Sequence, residues 1–268
     1  MNGADDRLLI NYHSHTWRCQ HASDTEEAYV VQAIESGYSV LGFADHTPWP
    51  YTNGYVSNMR MRIDQLPGYV HTLRTLAEKY ADQLYIPLGL ECEAFPEYMG
   101  WLSDLKGQYL DYLILGNHFE LNDSTGGFYF GRCRTPGEIR RYIQCTIAGM
   151  ETGLFAYVAH PDLFCRSYPV FDAECAAAAR DLCAAARALS LPLEYNLLGL
   201  QYRDRDCADG GLGYPCESFW EIAADAGCRV IVGLDAHNVR QLTRRDLFES
   251  ARTFLSGLGM EIVPRLPV

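Results

Sequence analysis

The first apolar run of the chain leads directly into two histidines: Leu8-Leu9-Ile10-Asn11-Tyr12-His13-Ser14-His15. Such a run predicts a β-strand, placed here at residues 8–10. In an extended segment, residues two apart point to the same side, so the His13 and His15 imidazoles face one spot while Ser14 faces away. Histidine is the commonest metal ligand among side chains. The pair therefore suggests a divalent-cation site, with ordinary polar loop residues as the alternative.

Strand-length apolar runs alternate with helical patterns along the rest of the chain. Further strands are predicted at 40–44, 84–90, 112–116, 155–159, 192–196 and 229–234, with a short tail strand at 261–263. Helices are predicted at 24–37, 63–81, 173–188 and 244–258. This alternation implies parallel strands joined by right-handed crossovers. No linker, repeat or low-complexity segment interrupts it, so we predict one domain over residues 1–268, either an α/β barrel or an open doubly wound sheet.

Seven of the eight histidines, and two carboxylates, lie at or just beyond the C-terminal end of a predicted strand. These residues are His13, His15, His21, His46, Glu91, His118, His160, Asp235 and His237. Barrel enzymes build their active sites at this end of the strands, so the convergence favours a barrel and metal ligation. Nine ligands would serve three ions, with the two oxygens of Glu91 bridging.

Two further residues are expected to stay outside this set. His71 lies inside the predicted helix 63–81 and is expected to be a solvated or partly packed helix residue. Asp45 has the opposite parity to His46, so it is expected to face outward or to orient a ligand.

The composition excludes several other classes of protein. The formal net charge is −12 and no basic face is visible, which argues against binding a nucleic-acid polymer. No apolar run is long enough for a membrane span, and residues 1–7 do not resemble a signal peptide, so a cytoplasmic protein is expected. The ten cysteines are scattered without a Cys-x-x-Cys pair and are predicted to be reduced.

The predicted ligands lie in motifs that resemble the polymerase-and-histidinol-phosphatase (PHP) family of metal-dependent phosphoesterases. The matching segments span nearly the whole chain in the family's order: 13–15, His21, 44–46, 89–91, 116–118, 159–161 and 233–237. The resemblance implies a PHP-type α/β fold, a distorted, TIM-like barrel of seven βα units. It also implies three divalent metal ions (zinc, manganese or iron).

The resemblance also distributes the ligands among the ions by position. One ion would take His13, His15, Glu91 and Asp235, and a second would share Glu91 and add His118 and His160. The third would take His21, His46 and His237. Glu91, Asp235 and His237 are the predicted catalytic residues.

Within this family the chain is most similar to stand-alone histidinol-phosphate phosphatases, through segments 45–50, 59–62 and 194–200. Those enzymes hold the substrate phosphate with arginines. The predicted counterparts here are Arg166, after strand five, and Arg203, after strand six, with Arg205 as a substitute for Arg203.

Aromatic residues that follow strand ends are expected either to wall a pocket or to anchor loops. They are Trp17, Trp49, Tyr51, Tyr55 and Phe119.

The resulting hypothesis is hydrolysis of a small phosphomonoester, with histidinol phosphate the first choice. Hydroxide bridging two ions would be the nucleophile, since metal coordination lowers the pKa of water to about 7. Three alternatives stay open. The substrate could be another phosphomonoester, a phosphotyrosine or a nucleotide phosphodiester. The chain could be an amidohydrolase-type barrel, although it offers no lysine after strand four, or a non-enzymatic metal-binding protein.

Overall fold

The computed structural model describes residues 9–268, in which parallel strands alternate with helices. The strands are β1 (Leu9–Asn11), β2 (Tyr38–Leu41), β3 (Phe43–His46), β4 (Leu88–Cys92), β5 (Tyr112–Leu115), β6 (Tyr157–Val158), β7 (Leu193–Asn196), β8 (Arg229–Gly233) and β9 (Glu261–Ile262). The helices are α1 (Glu26–Glu35), α2 (Leu66–Lys79), α3 (Met99–Tyr109), α4 (Pro136–Glu151), α5 (Ala173–Ala188), α6 (Leu197–Ala208), α7 (Glu217–Asp225) and α8 (Arg245–Gly257). Leu8, the first residue of the first predicted strand, lies outside the described residues, as does the segment 1–7.

The strands close into a distorted barrel. Strands β3 to β9 form one parallel sheet in chain order, and β1 pairs with β2 in a second. The segment after β1 joins the two, because the Ser14 carbonyl accepts from the Ala44 amide at 2.9 Å and Ser14 also bridges to Ala236, beyond β8. This closure confirms the predicted barrel and excludes an open doubly wound sheet. The single-domain organisation over 1–268 stays a prediction.

Aromatic side chains fill the barrel interior. Tyr12, Tyr112 and Tyr157 are buried there together with aliphatic residues and with Leu266 of the C-terminal tail. The Tyr112 ring lies where a side chain on Gly89 would stand, since a Cβ there would be 2.7 Å from the ring. The Tyr112 hydroxyl donates to the Tyr12 carbonyl at 2.6 Å. The interior is therefore a packed plug, which leaves the carboxyl ends of the strands as the open mouth.

Most predicted elements are confirmed, with differences that have local causes. The alanine-rich α5 has the predicted bounds, and α1 begins after Thr25, whose side chain accepts from the Ala28 amide. The predicted strand 40–44 is divided at Gly42, where a Cβ would overlap the Tyr112 hydroxyl. Four helices were not predicted: α3, α4, α6 and α7. No helix within residues 9–268 combines the length and apolar character needed to cross a membrane.

Replacing Tyr112 with phenylalanine tests the interior plug. The change removes the hydroxyl that satisfies the buried Tyr12 carbonyl, so the free energy of unfolding should fall by about 1–2 kcal/mol. Denaturant unfolding of the metal-free protein measures it, with Tyr109→Phe, at a half-exposed position, as the matched control. Equal stabilities for the two variants would contradict this account of the plug.

Candidate metal centre

All nine predicted ligands meet at the carboxyl ends of the strands. His46 ends β3 and Glu91 lies within β4, whereas the others follow strands on short loops. The donor atoms form triads in which all atoms lie within 4.8 Å of one another, among them His13–His15–Asp235, His46–Glu91–His118 and His15–His46–His237. His21 joins them, with its ring centroid 4.8 Å from that of His237. His71 is exposed on α2, away from this group, as predicted.

The Glu91 carboxylate is the centre of the cluster. Its Oε2 atom faces the Nε2 atoms of His13 and His15, each at 3.5 Å. Its Oε1 atom faces Nε2 of His160 at 2.8 Å and of His118 at 3.3 Å. The Oε2 atom also lies 2.9 Å from His46 Nδ1. The two oxygens thus face different imidazoles, as those of a bridging carboxylate would.

Asp235 faces the same ring nitrogens of His13 and His15 as Glu91 does. Its Oδ1 atom is 3.0 Å from His15 Nε2 and 3.5 Å from His13 Nε2. The backbone of Asp235 has a φ of 52° and that of His160 a φ of 29°. Non-glycine residues rarely adopt such values, and strain of this kind is concentrated at functional sites.

Five of the seven imidazoles are oriented by a contact at Nδ1, the ring nitrogen on the side away from the cluster. The partners are carboxylates in three cases: Glu194 with His13 at 2.8 Å, Asp45 with His15 at 3.3 Å, and Glu93 with His118 at 3.1 Å. Backbone carbonyls accept from His21 and His237, each at 2.8 Å. These contacts direct Nε2 of each ring into the cluster, which is the arrangement typical of metal-ligating histidines.

Several buried polar atoms in the cluster have no hydrogen-bond partner among residues 9–268. They are His13 Nε2, His15 Nε2, His46 Nδ1 and Glu91 Oε2. An unpaired buried polar group is costly, so such atoms need a partner that the protein itself does not provide. A divalent cation bound by nitrogen and oxygen ligands fits that requirement. The described residues therefore form candidate metal-binding clusters.

The electrostatics of the cluster also favour a cation. Burial raises the pKa of Glu91, but the neighbouring His118, His13 and His46 outweigh burial and hold it well below its usual value. Burial lowers the pKa of His15, yet Asp235 and Asp45 raise it to about 9. The carboxylates therefore attract positive charge, which in the metal-free protein is supplied by protons.

Two buried carboxylates behind the imidazoles were missed in the sequence analysis. Glu93 shares strand parity with Glu91, and Glu194 is a charged residue inside the apolar strand β7. An acidic residue in an otherwise apolar buried strand was the signal that could have identified Glu194. Asp45 takes one of its two predicted roles, since it contacts the far side of the His15 ring.

An open cavity of about 610 Å³ lies over the cluster. His21, His46, His118, His160, Asp235 and His237 line one side of it. Arg166, Arg205, Tyr129, Tyr202 and Tyr214 are among the residues lining the remainder. The Arg166 Nη1 atom donates to the Tyr129 hydroxyl at 3.1 Å.

Arg203 lies outside this cavity lining, in contrast to the prediction. It is directed to the Pro215 carbonyl at 3.4 Å and to Glu217 at 3.3 Å. The reason is that this segment forms helix α6. Leu198, Tyr202 and Arg205 are spaced three or four residues apart, so they lie on the same side of the helix and line the cavity, whereas Arg203 lies on another side. The structure therefore favours Arg205 over Arg203 as a partner of Arg166.

The aromatic residues considered as pocket walls lie elsewhere. Trp49, Tyr51 and Tyr55 line a separate cavity beside the 47–62 loop, and Trp17 is about half exposed. Phe119 packs on Tyr129, with ring centroids 5.5 Å apart. None of these five residues lines the cavity over the cluster, whose aromatic residues are Tyr129, Tyr202 and Tyr214.

Comparison with known proteins gives consistent results. The family model described as "PHP domain" matches residues 11–196. A protein of Deinococcus radiodurans described as a "Probable histidinol-phosphatase" is 28% identical over 239 residues, which cover 85% of this chain and 86% of that protein. The histidinol-phosphatase of Bacillus subtilis is 33% identical over 120 residues, covering 42% of this chain and 45% of that enzyme.

A solved structure shares the fold. It is a histidinol phosphate phosphatase from Lactococcus lactis, complexed with zinc, L-histidinol and phosphate. It superposes with a TM-score of 0.72 at 18% identity, covering 97% of this chain and 98% of that one. The distorted barrel is therefore shared over almost the full length of both chains.

Metal binding should release protons. The pKa of His15 is raised to about 9, so its imidazole is protonated at pH 7 in the metal-free protein, whereas a ligating histidine is neutral. Adding Co²⁺ to chelator-treated protein at pH 7 should release at least about one proton per molecule, and the apparent affinity should increase as the pH rises toward 9. Calorimetry in buffers of different ionisation enthalpy measures the release. Metal binding without proton release would show that His15 is not protonated in the metal-free protein.

Proposed function

The chain belongs to the PHP family, and we propose that it is a metal-dependent phosphomonoesterase whose substrate is L-histidinol phosphate. The observation that carries this proposal is the composition of the cavity lining. It combines imidazoles of the cluster around Glu91 with the guanidinium groups of Arg166 and Arg205. A phosphate ester combines an anionic group, which arginines bind well, with an oxygen-rich reacting centre that cations stabilise.

We propose that three divalent cations, zinc, manganese or iron, are held by the nine residues of the cluster. The proposed sets are those implied by the family: His13, His15, Glu91 and Asp235; Glu91, His118 and His160; and His21, His46 and His237. The contacts of Asp235 with His13 and His15, and those of Glu91 Oε1 with His118 and His160, support the first two sets. When bound, the cations supply Lewis acidity, which promotes deprotonation of water and offsets charge on phosphoryl oxygens.

The chain's own residues bind and orient the substrate. The guanidinium groups of Arg166 and Arg205 line the cavity and would hold phosphate oxygens. The Tyr129 hydroxyl accepts from Arg166 Nη1 and so helps to fix the direction of that guanidinium. Asp235 and His237 line the cavity at the reacting end, while the buried Glu91 and the carboxylates behind the imidazoles keep the rings aligned.

The remaining cavity wall suits a small organic group. Tyr202 and Tyr214 provide aromatic faces against which an imidazole ring can pack. The relatives named as histidinol-phosphatases make the imidazole-bearing substrate the first choice among small phosphomonoesters. The cytoplasmic location expected from the sequence stays a prediction.

Phosphate release tests the reaction. The wild-type protein should hydrolyse histidinol phosphate faster than phosphotyrosine, both measured by release of inorganic phosphate, and faster than a nucleotide phosphodiester, measured by release of the nucleotide monoester. Chelation should abolish that activity. Glu91→Ala should lower kcat by at least about a thousandfold, because it removes the shared carboxylate. The exposed Glu78→Ala is the matched control. Full activity after removal of all metal would refute the mechanism, and a preference for another ester would refute the substrate.

Truncation of the arginines tests the phosphate-binding wall. Arg166→Ala and Arg205→Ala should each lower kcat/KM for histidinol phosphate by about 10- to 100-fold, the range expected on loss of a charge-assisted hydrogen bond. Arg203→Ala, on the same helix as Arg205 but directed away, should change it less than about threefold. A larger loss in the Arg203 variant than in the Arg205 variant would reverse this assignment.

A further inference from the structure

An arginine in the 47–62 loop is buried between two carboxylates. Arg60 is 1% exposed, in the loop between β3 and α2. Its Nη2 atom donates to Glu93 Oε1 at 2.7 Å, and its Nε atom donates to Asp123 Oδ2 at 3.3 Å. A buried guanidinium is held in place only by such pairing, so its position is tightly determined.

The Glu93 end of this contact reaches the metal centre. The same Oε1 atom that accepts from Arg60 lies 3.1 Å from His118 Nδ1. Nε2 of His118 is in turn 3.3 Å from Glu91 Oε1. The Trp49 indole donates to the other oxygen of Glu93 at 3.2 Å. Arg60 and Trp49 together fix the carboxylate that orients the His118 ring.

The Asp123 end fixes the loop that carries Arg60. Asp123 also accepts from Ser57 Oγ at 3.0 Å and from the Tyr51 hydroxyl. The Gln20 side-chain amide donates to the carbonyls of Ser57 and Arg60, both at 2.8 Å. Gln20 directly precedes His21. The 47–62 loop is therefore connected to two imidazoles of the cluster, to His118 through Glu93 and to His21 through Gln20.

We propose that Arg60 is a positioning residue for the metal centre, acting through Glu93 to align His118 for cation binding. The inference rests on the proposed metal site and is independent of which phosphoester is hydrolysed. Arg60 does not line the cavity over the cluster, and its side chain reaches the imidazoles only through Glu93.

The geometry requires arginine rather than any cation. Arg60 donates to Glu93 and to Asp123 from two different nitrogens of one rigid, planar guanidinium group. A lysine ammonium is a single point charge and cannot hold both carboxylates in these positions. Arg60→Lys therefore keeps the charge but frees Glu93 to move, which makes it the informative substitution.

Co²⁺ binding to chelator-treated protein tests the proposal without using turnover. Arg60→Lys should lower the affinity for at least one bound Co²⁺ ion by about 10- to 100-fold, as measured in competition with a chelator. This is the usual effect of disturbing a partner of a ligating histidine. The visible absorption of the bound Co²⁺ should change as well. Arg62→Lys, on an exposed residue paired with Asp64, is the matched control and should bind as the wild type does.

A double-mutant cycle separates positioning from general destabilisation. Glu93→Gln should lower the affinity for the same Co²⁺ ion, and adding Arg60→Lys to it should cause less than about threefold further loss, because both act through one contact. Multiplicative losses, or Arg60→Lys protein with unaltered Co²⁺ affinity, would overturn the proposal. If Arg60→Lys does not fold, normal Co²⁺ affinity in Glu93→Gln would overturn it instead. A wild-type protein that binds no Co²⁺ would overturn the proposed function too, whereas bound Co²⁺ without phosphatase activity would affect only the latter.

Discussion

The buried Glu91 carboxylate imposes the main constraint on this molecule. It is 1% exposed and lies among imidazoles contributed by the segments that follow β1, β5 and β6 and by the end of β3. Burial of a charged group is tolerated only when opposite charge surrounds it. The neighbouring strand end leaves room for it, because a Cβ on Gly116 would overlap its side chain. The small residue at this strand end therefore follows from placing this one group.

Negative charge is present in excess around the imidazoles. Glu91 and Asp235 face them from the front, and Glu194, Asp45 and Glu93 contact them from behind. Among these, only Glu93 has a buried arginine as a partner, and Arg60 with its surroundings holds the pKa of Glu93 at about 2 despite burial. Elsewhere in the cluster the balancing charge must come from bound cations or protons. The same carboxylates thus orient the ligands and raise their basicity, which is why the structure of the site and its affinity for metal are linked.

Strand parity and strand order were sufficient to predict the barrel and the convergence of all nine proposed ligands. His13 and His15 share a face because they are two apart, and the parity of Asp45 correctly separated it from His46. Residues beyond the strand ends were less predictable. No helix was predicted after the strand at 192–196, but α6 begins at Leu197, and its helical repeat brings Arg205 rather than Arg203 to the cavity. The strand pattern marks Glu194 as an unusual buried acid, but it does not identify the imidazole that Glu194 or Glu93 contacts, because those contacts join distant strands.

The strained backbone at the mouth is supported by the packed plug below it. His160 and Asp235 both adopt positive φ values, each at a cost of about 1–3 kcal/mol, and such conformations persist only where the surrounding structure leaves no alternative. The Ala236 amide donates to the His13 carbonyl at 3.1 Å, so the strained turn at Asp235 is fixed to the strand that carries the first two imidazoles. That strand is anchored in turn through Tyr12, whose carbonyl accepts from Tyr112 and whose hydroxyl accepts from the Leu266 amide of the tail. The aromatic interior therefore also has a structural role at the mouth, because its hydrogen bonds hold in place the segment that carries residues proposed to bind metal.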